Sequence, residues 1–270
     1  MTIRTPGRVP MSSVGSGRAA GRRRVGVALV VAAVWAVAAV RDVRGFWPDL
    51  LLGSVPFALA LAALVGMLLS VRRPWRRPAV LAAPDGTRLR AEPGSGFSWF
   101  VAAEILILTV AAIPQVEPLM DRATAPAGPD RYVLTALPLV LALLAALLVV
   151  VLVAAVRDGR PRVDLTPAGV EVRQPFGRQF VPWAALSPGT PLRQSSGSEL
   201  VLDVCRPETV RRSGLPWGTR RRPRLLLSWL WVHPWYLADV LRFYVDHPHE
   251  RDGIGADAGR ERLRGALAAG

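Results

Sequence analysis

Glu104 stands inside an otherwise apolar run, Phe97 to Ile113. If that run lies in lipid, a charge there costs about 2.5–3.5 kcal/mol, so the carboxyl must be neutral, paired or lining a wet cavity. One use is a step on a proton or cation pathway. The other is a protonated carboxyl hydrogen-bonded between helices, to Thr109 or to Thr135 of a neighbouring run. A pathway needs several polar groups and these runs offer almost no others, so the structural use is the expected one.

The second group able to do chemistry is cationic. Arg211, Arg212, Arg220, Arg221, Arg222 and Arg224 fall in one connection around Trp217. Beside an anionic leaflet each arginine contributes about 1 kcal/mol of attraction, which points to lipid headgroups or to an acidic protein partner. The plainer reading is a solvated loop whose charge reinforces orientation. All 34 basic residues of the 270-residue chain are arginine, a bias that fits GC-rich codons, so arginine number alone argues little for phosphate binding. Nucleic acid is not an expected partner: the chain carries +14, but much of that lies beside the apolar runs, and the part from Arg157 onward carries 18 Arg against 12 acids.

Other reactive side chains are isolated. His247 and His249 are separated by Pro248 with no third His nearby, so no metal is expected. Cys205 is the only cysteine; it cannot form an internal disulfide and has no evident activating partner. There is no phosphate-binding glycine loop, no Gly-x-Ser-x-Gly elbow and no His-Glu-x-x-His run. The sequence therefore offers no catalytic residue and no cofactor site, and the expectation is a protein that is not an enzyme.

The elements that carry these residues are of two kinds. Hydrophobic residues make up 51% of the chain, gathered into four runs that predict transmembrane helices at about 25–40, 50–71, 97–113 and 132–156. The first run, Val25 to Val40, spans about 24 Å as a helix, short for a hydrocarbon core of about 30 Å, and needs Arg24 and Arg41 to snorkel. Its rival is a signal peptide with Arg22 to Arg24 as n-region. In either case the later spans keep their sides. In the second run, Ala62 and Gly66 have small-xxx-small spacing.

Arginine sets the direction. Excluding the C-terminal part, the alternate connecting segments hold 12 and 4 arginines, so the positive-inside rule places both termini in the cytoplasm and the protein in the cell membrane, multi-pass. Residues 1–24 read as a disordered basic N-terminus. Residues 78–96 read as a small cytoplasmic hairpin around Asp85-Gly86. Such a hairpin is marginal alone in water, so docking on the C-terminal sheet is expected.

From Arg157 the pattern changes to short alternating segments broken by Pro and Gly. Val163–Thr166, Val170–Arg173 and Gln179–Trp183 predict a β-meander, Leu200–Cys205 and Leu225–Val232 two further strands, and Trp235–Asp246 an amphipathic helix with Pro234 in its first turn. The string VDLTPAGVEVRQPFGRQFVPWAAL resembles the opening of the bacterial PH-like (pleckstrin-homology-like) domains found in actinobacterial membrane proteins. VHPWYLADVLRFYVDHPHERDGIG is similar to the helix and tail that close such modules. The resemblance implies a curved sheet or partly open barrel capped by one helix. It implies no established activity, and the long connection Arg206–Arg224 departs from the pattern.

The expected architecture is thus a membrane α-helical region, 25–156, followed by a mostly-β PH-like module, 157–252, and a flexible tail, 253–270. The expected function is a non-enzymatic membrane protein presenting that module to a protein partner or an anionic lipid surface. The alternative is a small transporter or channel subunit using Glu104.

Overall fold

The computed structural model describes residues 22–34, 49–71, 77–124, 129–191 and 198–269, with side chains in the long helices described over 58–70, 95–109, 140 and 143–157. Helix α1 covers 22–34, α2 Asp49–Val71, α3 Ser95–Thr124 and α4 Pro129–Arg157. Each lies over one of the four apolar runs. Among the described residues, no helix is long and apolar enough to cross a membrane, so the structure shows helices at those places rather than spans. The expected first span continues beyond residue 34, and the basic N-terminus precedes residue 22; both continuations lie outside the described residues.

The helices pack through small and branched residues. Ala60 and Ala63 of α2, Val101, Ala102, Ala103 and Ile105 of α3, Val25 and Ala28 of α1, and Leu152 and Ala155 of α4 form one buried cluster. Gly66 lets the α2 backbone approach α3, since a Cβ there would lie 3.0 Å from the Trp99 ring. The faces turned away from this cluster are also apolar: Leu61, Val65 and Leu69 on α2 and Leu143, Leu147 and Val150 on α4 are exposed.

One end of the bundle meets the second unit, built on an antiparallel five-stranded sheet of order β1-β2-β3-β4-β6. The strands are β1 Leu89–Ala91, β2 Arg162–Thr166, β3 Gly169–Gln174, β4 Gly177–Pro182 and β6 Arg211–Gly214; β5 Glu199–Val201 and β7 Arg224–Leu226 form a separate ribbon. Helices plus this sheet are consistent with a PH-like module. Period-2 alternation places Val163, Leu165, Val170, Val172 and Val181 in one core. Helix α5, Pro234–Asp246, covers that core with Leu237, Val240, Leu241 and Tyr244. The Trp183 indole fastens the two layers: its Nε1–H donates to the Thr166 carbonyl at 2.8 Å, and its ring lies 5.9 Å from that of Tyr244.

The 78–96 segment contributes the edge strand β1. Leu89 and Ala91 stand opposite Leu165 and Val163 in the β1–β2 register, and both are buried. Between them Arg90 faces Asp164, a fully buried carboxylate that accepts from Arg90 and, at 3.1 Å, from the Arg162 Nε–H.

Four expectations are corrected. The tail at 253–270 is not a flexible extension: it forms α6, Asp257–Ala269, with Leu263 buried in the core, so a second helix packs beside α5. Gly259 is buried against Gly253, and Gly255, at φ +91°, lies against the backbone of Gly86–Arg88; close approach at these glycines brings the tail in. The connection Arg206–Arg224 contains β6, which pairs with β4; Arg-Arg-Ser-Gly has no apolar alternation to betray it. The Leu200–Cys205 strand stops at Val201, beyond which Leu202 donates to the carbonyl of Pro223, a residue with no N–H to return. The Leu225–Val232 strand ends at Leu226 and turns into a 3-10 helix, Leu227–Trp229.

Replacing Asp164 by Ala leaves two largely buried guanidinium groups without their counter-charge and should destabilise the protein by roughly 3 kcal/mol. Glu171→Gln, at the more exposed Arg173–Glu171 pair, should change it by less than about 1 kcal/mol. Denaturant unfolding of the full-length protein followed by tryptophan fluorescence distinguishes the two.

Candidate functional site

In the sequence Arg77 is one of six arginines between the second and third apolar runs, with nothing local to set it apart. In the structure it is 7% exposed and lies where the helical bundle and the sheet module meet. Its Nη1 donates to the carbonyls of Leu227 and, at 2.9 Å, Leu230; its Nη2 donates to Ser228 O at 2.9 Å and to Ser70 O at 3.1 Å. Ser70 belongs to the last turn of α2, and the other three carbonyls belong to the 3-10 turn after β7. One guanidinium thus caps two helix C-termini, whose carbonyls carry partial negative charge; Leu227 O also accepts from the Leu230 N–H at 3.0 Å. Burial pushes its pKa down to about 10, still far above neutrality, so the group is cationic throughout the physiological range.

Backbone bonds run alongside. Gly94 N–H donates to Trp229 O and Trp231 N–H to Glu92 O, both at 2.7 Å, and His233 N–H to Pro78 O at 2.9 Å. Residues on both sides of β1 are therefore stitched to 229–233. Aromatic rings fill the space beside them: Trp229 lies 5.2 Å from Phe97, 5.9 Å from Phe100 and 5.2 Å from Trp217. The start of α1 reaches the same end, with the Arg24 guanidinium 4.8 Å over the Trp99 ring and Arg22 Nη2 donating to the last α4 residue, Arg157, at 2.9 Å. The start of α1, the end of α2, the start of α3 and the end of α4 all converge here.

The six arginines of the 211–224 connection differ in their surroundings, and five of them are exposed. Arg211, Arg220 and Arg221 are exposed. Arg222 and Arg224 face Asp203 and Glu199 at 3.6 and 3.5 Å. Arg212 is turned inward along its own loop and donates to the carbonyls of Pro216 at 2.5 Å and Gly218 at 3.0 Å. The connection is a built structure: the buried Gln174 amide donates to Arg224 O at 2.8 Å, and its carbonyl accepts from the Trp217 N–H. Sequence reading missed Gln174, which looks like an ordinary strand-end residue; no local pattern marks a side chain that reaches residues 43 and 50 positions away.

Glu104 is half-buried on α3. Thr109, one of its two expected partners, donates instead to the Ile105 carbonyl of its own helix at 2.8 Å; the side chain of Thr135 lies outside the described residues. His247 and His249 stand at the exposed end of α5, with the His247 Nδ1 2.9 Å from Phe243 O. The Cys205 thiol is exposed and donates to Ala185 O at 3.2 Å.

Residues 160–187 match the family described as Bacterial PH domain. The match covers β2, β3, β4 and the Trp183 turn, where the sheet register is most regular. No curated protein and no solved structure matches the chain.

Arg77→Leu removes the shared donor and leaves buried carbonyls unmet, which should weaken the junction by about 1–3 kcal/mol or more. Arg77→Lys, with a point charge in place of a planar fork, should recover only part of it. Amide hydrogen exchange at 227–233 in the full-length protein reports the loss, and should rise there more than at β2–β4.

Proposed function

We propose that the chain is a multi-pass membrane protein, with both termini in the cytoplasm, whose helices hold a non-enzymatic PH-like interaction module against the inner leaflet. The observation that carries this reading is the apolar outer face of the bundle. Val140, Leu143, Leu144, Leu147 and Val150 of α4 and Leu59, Leu61, Val65, Leu68 and Leu69 of α2 are exposed, an arrangement that water penalises and lipid does not. In the sequence the apolar runs under α2 and α4, 50–71 and 132–156, have 22 and 25 residues, against about 20 needed to span. The convergence of four helix ends beside the module supports an even number of crossings, in agreement with the arginine asymmetry of the connecting segments.

The module would present its surface to a protein partner or to anionic headgroups. The Arg77 junction supports a fixed presentation, because a module tethered by a free linker would not share its capping carbonyls with a helix end. Glu104 supports the alternative, a transporter or channel subunit, less well: it is a single carboxyl among apolar neighbours.

Membranes washed at alkaline pH should retain the full-length protein, and recovery in the soluble fraction would remove the membrane reading. The native Cys205 provides the topology test, since an impermeant maleimide should leave it unlabelled in intact cells and label it once the membrane is opened. Labelling of intact cells would place the module outside.

A further inference from the structure

Three large apolar side chains crown the arginine-rich end of the module. Phe176 is 36% exposed at the β3–β4 turn, Leu215 is 78% exposed just after β6, and Trp217 is 36% exposed. The Leu215 N–H donates to Phe176 O at 2.9 Å, which joins the two turns. They are not loose: Gln174 holds Trp217, Arg212 holds Pro216 and Gly218, and Gly214 adopts φ +71° so that β6 can close on Phe176 and Gly177. A turn so braced that still projects a leucine into solvent keeps an apolar side chain where water penalises it.

We infer that Phe176, Leu215 and Trp217 form a wedge that enters the headgroup region of the leaflet containing the chain's own helices. Two observations choose that occupant. First, the wedge is continuous with the bundle end: Trp217 packs at a tilt against Trp229, which in turn contacts Phe97 and Phe100 in the first turns of α3, the level at which Trp99 and the end arginines meet. Aromatic side chains at this level are placed for the membrane–water boundary. Second, Arg211, Arg220 and Arg221 are exposed on the same connection. Cations around an apolar tip suit phosphate groups above an acyl boundary. The inference rests on the membrane reading and adds a second attachment to it, in which the module itself is anchored by a side-chain wedge beside its helices.

The test uses full-length protein with Cys205→Ser, reconstituted in vesicles containing phosphatidylglycerol and a lipid-borne quencher. An environment-sensitive fluorophore is attached in turn at Leu215→Cys, at Leu143→Cys on the outer face of α4, and at Ala168→Cys in the exposed turn at the opposite end of β3. Expected are blue-shifted, quenched emission for the first two labels and aqueous emission for the third. If the Leu143 label is in lipid and the Leu215 label in water, the wedge is overturned while the membrane reading stands. Quenching of the Ala168 label to the same degree would also overturn it, since the whole module would then lie in the interface without a wedge. If the Leu143 label is itself in water, the membrane reading fails and the wedge with it. A further variant, Arg211→Gln with Arg220→Gln and Arg221→Gln, should lose most of the Leu215 quenching in these vesicles; unchanged quenching would overturn the role of the arginine collar.

Discussion

A buried guanidinium with only carbonyls for partners is the constraint on which the arrangement depends. Arg77 keeps its charge in a place that water does not reach, so every N–H it turns inward must find an acceptor. The end of α2 and the 3-10 turn after β7 each turn carbonyls toward this cation, among them Ser70 O and Ser228 O at helix ends where intrahelical donors run out. Neither side is complete without the other. The planar fork also fixes geometry as well as distance, because carbonyls from two elements must lie near one plane to share it. This explains why the chain abandons its β ladder at Leu227: carbonyls held in a strand would point alternately to either side, whereas Leu227, Ser228 and Leu230 all offer theirs to one cation.

Much of the architecture was legible in local patterns. The positions of the helices followed from long apolar runs, and β2 to β4 from alternation with Pro-Ala-Gly and Pro-Phe-Gly turns. What escaped reading was whatever depends on a distant partner. The sequence Arg-Arg-Ser-Gly becomes a strand because the free edge of β4 accepts it, and the Gly-rich tail becomes ordered because Gly255 and Gly259 allow contact with backbone at 86–88 and 253. Arg77 was hidden among other arginines of its segment, since composition cannot say which member of a charged run is buried.

The arginine-rich connection shows the same division between charge and structure. Read as a cluster, its six cations suggested one electrostatic surface. In the fold one turns inward as a brace and five are exposed, two of them beside carboxylates, while the features that shape the connection are Gln174 and the Trp217–Trp229 contact. Electrostatic attraction at a membrane is diffuse and falls away over a Debye length, whereas ring packing and buried amide bonds act at contact distance. The connection combines both.

Because β1 comes from the stretch between α2 and α3, the five-stranded sheet is assembled from two parts of the chain with two helices between them. During synthesis the edge strand is made early and must wait for β2, so its pairing is a non-local step with a large loop-closure cost. Cut at Arg157, the C-terminal sequence would expose the β2 edge and leave Asp164 with Arg162 alone, an edge open to pairing with other chains. Packing of the helical pair α3–α4 and completion of the sheet thus become one coupled event, because the connection that leads from α2 to α3 also supplies the strand that closes the β2 edge.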